Sequence, residues 1–323
     1  MGSLDIIRDP AKDADVDIIL VHGLEGDSQS TWTYEATGLF WPRSLLPEDF
    51  PTARILVFSY PASFSYFFPE SARAKKRHKS TPGAYTEDLI DALSQLRKSS
   101  HTENRQMIFI AHGLGGLLSA ELIASSNENI SSSIKGIVFL GTPFGDEQDE
   151  SSWGTIARAY HSFLLRADPA DSTPAPDGVA AAAQSGNARR IMKDFKAVTG
   201  QREDNYQPLQ MAFLLPRSGV INSDGHELMV VEPDYAVLEE YDGSVVPGDQ
   251  VSMTKIPDRE SPGYQAICSA IRGWIEAGTA QIPWITELAM PQDTWLYDDF
   301  IQYNTAVGLD YHFSGSFTNG FRF

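Results

Sequence analysis

The chain has 323 residues, with 25 Lys plus Arg against 43 Asp plus Glu and a net charge of -18. That length allows one large α/β domain or at most two small ones, and the acidic balance argues against nucleic acid or an anionic membrane surface as partner. A single cysteine, Cys268, excludes an intrachain disulfide. The polar N-terminal stretch lacks a basic-then-apolar leader pattern, and no apolar run approaches the roughly 20 residues of a spanning helix, so a cytoplasmic chain is expected.

In chain order, Val16 to Val21 is a β-branched run ending at His22-Gly23 and reads as a central parallel strand. Trp41 to Leu46 follows, with Pro42 placed to open a helix. Arg54 to Tyr60 is a second buried strand. Pro82 to Lys98 has helical spacing, with Tyr85, Leu89, Leu93 and Leu96 on one face. Met107 to Ile110 is a strand, Leu114 to Ala124 a helix, and Ile134 to Leu140 a strand closed by Gly141-Thr142-Pro143. Strands alternating with helices in this way predict an α/β fold, a mostly parallel sheet with helices on both faces.

Beyond Phe144 the pattern loosens. Trp153 to Leu165 reads as helical, and Ala167 to Ala188, rich in Ala, Pro, Asp, Ser and Gly, reads as mobile. Strand patterns resume at Leu209 to Leu215, Leu228 to Val231 and Gly243 to Val246, and a helix is expected over Pro262 to Ala277. These readings give one domain over 1–281, with a lid-like insertion at about 144–208, followed by an aromatic-rich tail over 282–323. Disordered tails are poor in aromatics, so the tail is expected to pack on the body or a partner.

The informative stretch is Ile108-Phe109-Ile110-Ala111-His112-Gly113-Leu114-Gly115-Gly116, a strand running through a sharp turn into a helix. It matches the setting of the nucleophile elbow G-x-S-x-G, except that glycine stands where the serine belongs. Taken with V-H-G-L-E-G, F-W-P-R-S-L-L-P, A-R-I-L-V-F-S-Y and G-I-V-F-L-G-T-P in this order, the chain resembles the fungal lipase-like and SERAC-like α/β-hydrolases over roughly residues 16 to 278. Similar domains also sit at the front of fungal immune-type receptors. The resemblance implies an α/β-hydrolase fold. It also implies an oxyanion hole made by the backbone N–H groups of Leu24, in the His22-Gly23-Leu24 loop, and of Leu114, just past the elbow. Both donors are backbone groups, so they survive side-chain change.

The same resemblance puts the nucleophile at Gly113, the catalytic histidine at Gln250 within Gly248-Asp249-Gln250-Val251-Ser252-Met253-Thr254-Lys255-Ile256, and the acid at Glu232 or Asp234 after the Leu228 to Val231 strand. A triad needs a hydroxyl to attack and an imidazole to take its proton; glycine and glutamine supply neither. An engineered inactivation would normally change one residue, so two departures point to natural divergence. Among the seven histidines, His22 belongs to the oxyanion loop and His112 precedes the elbow, each with a plain structural role as the simpler reading. Phe64, Tyr66 and Phe67 lie at the carboxyl edge of the sheet, where open α/β folds bind ligands. With Gly23, Trp32, Phe144 and Trp153 they are the candidate walls of a pocket, or else core. The basic run Arg73 to Lys79 reads as a solvated loop. No zinc-ligand spacing and no Gly-rich phosphate loop is present, so no metal or cofactor is expected.

Three functions follow. The first is a non-hydrolytic enzyme, in which a preorganised apolar pocket and two amide donors promote cyclisation, cycloaddition or isomerisation of a bulky apolar small molecule. The second is a pseudoenzyme acting as ligand sensor or interaction module. The third is a serine esterase or lipase with a replaced nucleophile, against which Gln250 argues.

Overall fold

Seven strands form the central sheet: β1 (Ser3–Arg8), β2 (Val16–Val21), β3 (Ala53–Ser59), β4 (Gln106–His112), β5 (Ile134–Leu140), β6 (Gln210–Pro216) and β7 (Gly243–Val246). Their spatial order is β1-β3-β2-β4-β5-β6-β7. All neighbours run parallel except β1, which pairs antiparallel with β3 at the edge. The computed structural model describes residues 2–10, 14–24, 26–62, 82–125, 127–145, 152–167, 178–205, 208–221 and 225–279. The helices of more than one turn are α1 (Pro82–Ser99), α2 (Leu114–Ile123), α3 (Ser152–Ala167), α4 (Gly178–Asp204) and α5 (Pro262–Thr279).

The period-two alternation of strand side chains divides the core into two clusters, one on each face. Ile19, Val21, Leu56, Phe58, Phe109, Ile137 and Phe139 point to one face. They meet Tyr85, Leu89 and Leu93 of α1, Leu118 and Leu122 of α2, and Ile191 and Phe195 of α4. Ile18, Leu20, Ile55, Val57, Ile108, Ile110 and Val138 point to the other, against Ile267, Ile271 and Trp274 of α5. Full burial of such a side chain stabilises by about 1.5–3 kcal/mol relative to leaving it exposed. Burial on both faces is why β2 and β4 read as continuous apolar runs. The result is the α/β-hydrolase fold, as the resemblance implied. Among the described residues no helix is long and apolar enough to cross a membrane.

Several elements differ from the sequence reading. β1 falls in the polar N-terminal stretch: its pairing with β3, not an apolar pattern, makes it a strand. Residues 178–188, expected to be mobile, open the 27-residue helix α4. That helix packs on α2, and its Phe195 meets Phe139 of β5 edge-on, so this part of the insertion is a flanking layer. The Leu228 to Val231 strand does not join the sheet; only Glu227–Leu228 is extended, paired with Val220–Ile221. Trp41 to Leu46 becomes two single-turn helices, Trp41–Ser44 and Leu46–Asp49. The tail over 282–323 and the basic run 73–79 lie outside the described residues.

At the amino end of the sheet, the buried Asp17 carboxylate of β2 meets Arg54 at 2.6 Å, Arg105 at 3.1 Å and Arg97 at 3.7 Å. Arg54 grips it with Nε and one terminal nitrogen, tying β3 to β2. Removing one partner of a buried ion pair strands the other charges and costs about 3–5 kcal/mol. Asp17→Asn, which leaves three guanidinium groups without their anion, should therefore lower unfolding stability by that order in urea titration. A change within about 0.5 kcal/mol, the usual range for surface substitutions, would show that solvent already screens the cluster.

Candidate functional site at the strand-to-helix elbow

β4 ends at His112 and α2 begins at Leu114, so the whole reversal of direction falls on Gly113, at φ +52° and ψ -126°. An L side chain strains such a backbone, whereas glycine adopts it freely. The turn is pinned by the Gly113 N–H donating to Leu140 O at 2.9 Å and by Gly116 N–H donating to Gly113 O at 3.0 Å. A Cβ built at Gly113 would lie 3.2 Å from the Tyr160 hydroxyl, 3.6 Å from Gln250 Nε2 and 3.7 Å from Gly23 Cα. Four segments therefore converge here: the elbow, the loop after β2, helix α3 and the loop after β7.

Leu114 is the first residue of α2, so its N–H has no intrahelical acceptor and lies at the positive end of the helix dipole. Leu24 follows Gly23 in the loop after β2, and both leucines are buried. The loop can approach because position 115 is also glycine: a Cβ there would stand 2.3 Å from His22 O and 2.6 Å from Val21 O. The backbone on which an oxyanion hole is built is thus close-packed around the elbow.

Both nearby histidines are committed to the protein. His22 is buried and stacked on Tyr60, ring centroids 4.4 Å apart. Its Nδ1–H donates to Gly23 O at 3.0 Å and its Nε2 accepts the Tyr60 N–H at 3.4 Å, which fixes a neutral tautomer. His112 donates Nε2–H to the Gln250 carbonyl at 2.7 Å. Its Nδ1 has no hydrogen-bond partner and packs against Gly23, 2.9 Å from where a Cβ of that residue would be. Burial lowers both imidazoles to about 4. His22 is thus a core residue and not a substrate-facing one, and His112 ties the elbow to the loop after β7.

Gln250 is 1% exposed, and its side-chain N–H donates to Gly141 O at 2.7 Å. Its neighbour Asp249 is occupied in capping the Ser252–Thr254 turn, accepting from the N–H groups of Val251 and Ser252. Glu232 and Asp234 are exposed, at and just inside the start of the Pro233–Tyr235 turn, whose end is held by Phe144 N–H donating to Tyr235 O at 2.7 Å. Neither carboxylate is buried with position 250 as an orienting acid would be. The strand meant to carry them is not in the sheet.

Of the expected pocket walls, Trp32 is fully buried and meets Trp41 edge-on in the core on the α5 side. Phe144 packs edge-on against Phe139 and Phe213 in the opposite core. Both rings are thus packed against other aromatic side chains in the core. Phe64, Tyr66 and Phe67 lie outside the described residues, as does the side chain of Trp153, although its backbone is in α3. The site residue missed from the sequence is Tyr160. The signal was helical spacing: Ile156 and Tyr160, four apart on α3, both face inward.

No family model matches the chain. Over 147 residues it is 26% identical to the protein SERAC1 of Mus musculus and 27% identical to that of Danio rerio, in each case 39% of this chain and 21% of the relative. The chain therefore spans about a fifth of the length of the curated relatives it matches. The chain has the α/β-hydrolase fold and is similar to SERAC1 over that segment. Among solved structures it is similar to a carboxylesterase of Nitrososphaera gargenis, at 13% identity and TM-score 0.46 over 85% of this chain and 96% of that one. It is also similar to a peroxisomal alpha-beta-hydrolase of Saccharomyces cerevisiae, at 10% identity and TM-score 0.43 over 96% and 98%. These scores add nothing to the fold assignment, which rests on strand order and the elbow.

The two buried histidines set a pH dependence. Their folded values of about 4 lie below the ordinary 6.5, so between those limits the unfolded chain binds more protons than the folded one. Their contribution is complete above pH 6.5 and is lost as pH falls toward 4. At about 1.4 kcal/mol per unit it amounts to about 3 kcal/mol for each. The urea midpoint should fall steadily from pH 7 to pH 4.5, and a flat midpoint across that range would show that the rings bind protons as readily in the folded protein as in the unfolded chain.

Proposed function

We propose that this chain is a non-hydrolytic enzyme that holds a bulky apolar carbonyl compound, of natural-product type, over the elbow and promotes its cyclisation, cycloaddition or isomerisation. The observation that carries this reading is the elbow itself: the backbone turn is in place, while the groups at positions 113 and 250 are a hydrogen atom and an amide. Hydrolysis needs an attacking oxygen and a proton acceptor with a useful pKa. A glutamine amide is no proton acceptor of useful pKa, the bare Nε2 of His22 is taken by the Tyr60 N–H, and the bare Nδ1 of His112 is packed against Gly23 and lowered to about 4 by burial. What remains are the backbone amides of Leu24 and Leu114, which would draw charge onto a carbonyl oxygen, together with a shape that folds the substrate.

A serine esterase with one replaced residue is disfavoured by the proximity of Gln250 Nε2 to position 113, 3.6 Å from its Cβ site. That is where a catalytic imidazole would stand, so the base is missing along with the nucleophile. A cytoplasmic setting is supported by the lone Cys268, which is buried with its thiol pushed up to about 11 by desolvation.

The test is mass spectrometry of the purified protein incubated with an extract of its source organism lacking this gene. A new species of unchanged mass and altered retention is expected. A product heavier by one water, or an ester cleaved in two, overturns the reading, and a compound retained without conversion replaces the enzyme with a binding protein. A companion experiment restores both lost groups. Gly113→Ser with Gln250→His should gain hydrolysis of p-nitrophenyl butyrate by about a hundredfold, the low end of what a positioned base contributes. A well-folded double variant with no gain would show that the site departs from a hydrolase at more than positions 113 and 250.

A further inference from the structure

The side-chain groups closest to the vacated position at 113 are hydrogen-bond donors. Tyr160, on α3, is 5% exposed, and its hydroxyl is completely shielded and makes no aligned hydrogen bond. It is the nearest atom to the Cβ site of Gly113, at 3.2 Å. Next is Gln250 Nε2, at 3.6 Å, which spends one N–H on Gly141 O and has a second to give. The acceptor end of that amide is turned the other way: Gln250 Oε1 lies 2.4 Å from the Cβ site of Gly141. The phenol oxygen feels the amide of Gln250, but nothing among the described residues takes the phenol proton.

Buried side-chain hydroxyls are paired in the large majority of native structures, and an unpaired one calls for an explanation. Phenylalanine would fill the same space without leaving an orphan. A hydroxyl at this spot, whose proton has no acceptor among the described residues, is open to an acceptor that arrives from outside the chain. The geometry points to Tyr160 as a catalytic residue of the site: its phenol donates to the carbonyl oxygen of a ketone or ester substrate lying over Gly113, with Gln250 as the positioning residue that turns the phenol proton toward it. This rests on the non-hydrolytic reading above and narrows its substrate to an acceptor head group, since an alcohol or ammonium would meet donor against donor. Burial keeps the phenol protonated, raising its pKa far above neutrality. The hydroxyl is shielded in this structure, so entry of a substrate requires α3 to shift outward.

The test uses prodan, an apolar naphthyl ketone whose emission moves to longer wavelength when its carbonyl accepts hydrogen bonds. Wild-type protein should bind it, and Tyr160→Phe should bind it about fivefold more weakly, the worth of one hydrogen bond, with bound emission shifted to the blue. Its thermal midpoint should stay level or rise, because the proton of the hydroxyl removed has no acceptor among the described residues. Gly113→Ala, which puts a methyl group 3.2 Å from that hydroxyl, locates the probe. Binding weakened by Gly113→Ala but unchanged in strength and colour by Tyr160→Phe overturns the role of Tyr160 alone. No binding by the wild type, or binding indifferent to Gly113→Ala, overturns the carbonyl-site reading and this inference together. A Tyr160→Phe protein that melts well below the wild type gives the hydroxyl a structural partner and also refutes the proposal.

Discussion

The reversal of the chain at Gly113 is the constraint on which the rest of the site depends. A strand and a helix that meet across one residue force that residue to positive φ, and the close approach of the flanking segments then restricts every neighbour. The loop after β2 rests on the first turn of α2, the loop after β7 hangs from His112 and from Gly141, and β5 is tied in by the Gly113 N–H. These ties are mostly backbone to backbone or side chain to backbone. Such ties hold the shape of the site whatever side chains stand at positions 113 and 250. In a serine enzyme the elbow stores strain in a residue with a Cβ, of the order of 1–3 kcal/mol; glycine adopts the same turn without that penalty.

The two ends of the sheet divide the labour. At the amino end, Asp17 and its arginines bind β2, β3 and α1 through buried charge. At the carboxyl end, where open α/β sheets present ligand sites, the buried polar groups are neutral: two uncharged imidazoles, an amide and a phenol. A neutral, water-poor site strengthens each hydrogen bond it makes and leaves each unmade one costly. It suits a ligand that brings an acceptor and no charge.

The strands of the sheet interior were legible because burial on both faces leaves an unmistakable trace. Val16 to Val21 and Ile134 to Leu140 were read with the boundaries they have, since a single charged residue near the start of each, Asp17 and Lys135, does not interrupt the apolar run that follows. β1 was not legible, because half its side chains face water and its partner lies some 50 residues along the chain. Helix α4 was hidden by the Gly, Ser and Asn residues near its start, although Ile191, Met192 and Phe195 carry the helical period a few residues later. At the site, the turn at Gly113 could be read because strand and helix patterns flank it closely. The acid could not, since it was tied to a strand that forms only a short pairing with Val220–Ile221. Tyr160 was overlooked because only histidines were weighed as replacements, and a tyrosine at core spacing looks like any other core aromatic.

How much catalysis such a site can supply follows from what it lacks. A hydrolase uses its oxyanion donors on a full negative charge created by nucleophilic attack, and losing one such donor costs about 3–4 kcal/mol. A concerted rearrangement builds only a fraction of that charge on the carbonyl oxygen, so each donor returns a fraction of that energy. Electrostatics alone then leaves a modest acceleration. The larger share has to come from holding the substrate in a reactive fold, where an effective concentration gain can be worth about 7–11 kcal/mol. On the proposed reading, the donors at Leu24, Leu114 and Tyr160 serve first to fix where the carbonyl sits, and the apolar walls around them decide which bond forms. The residues that matter most for substrate choice should therefore be bulky apolar ones, and substitutions there should change the product more readily than the rate.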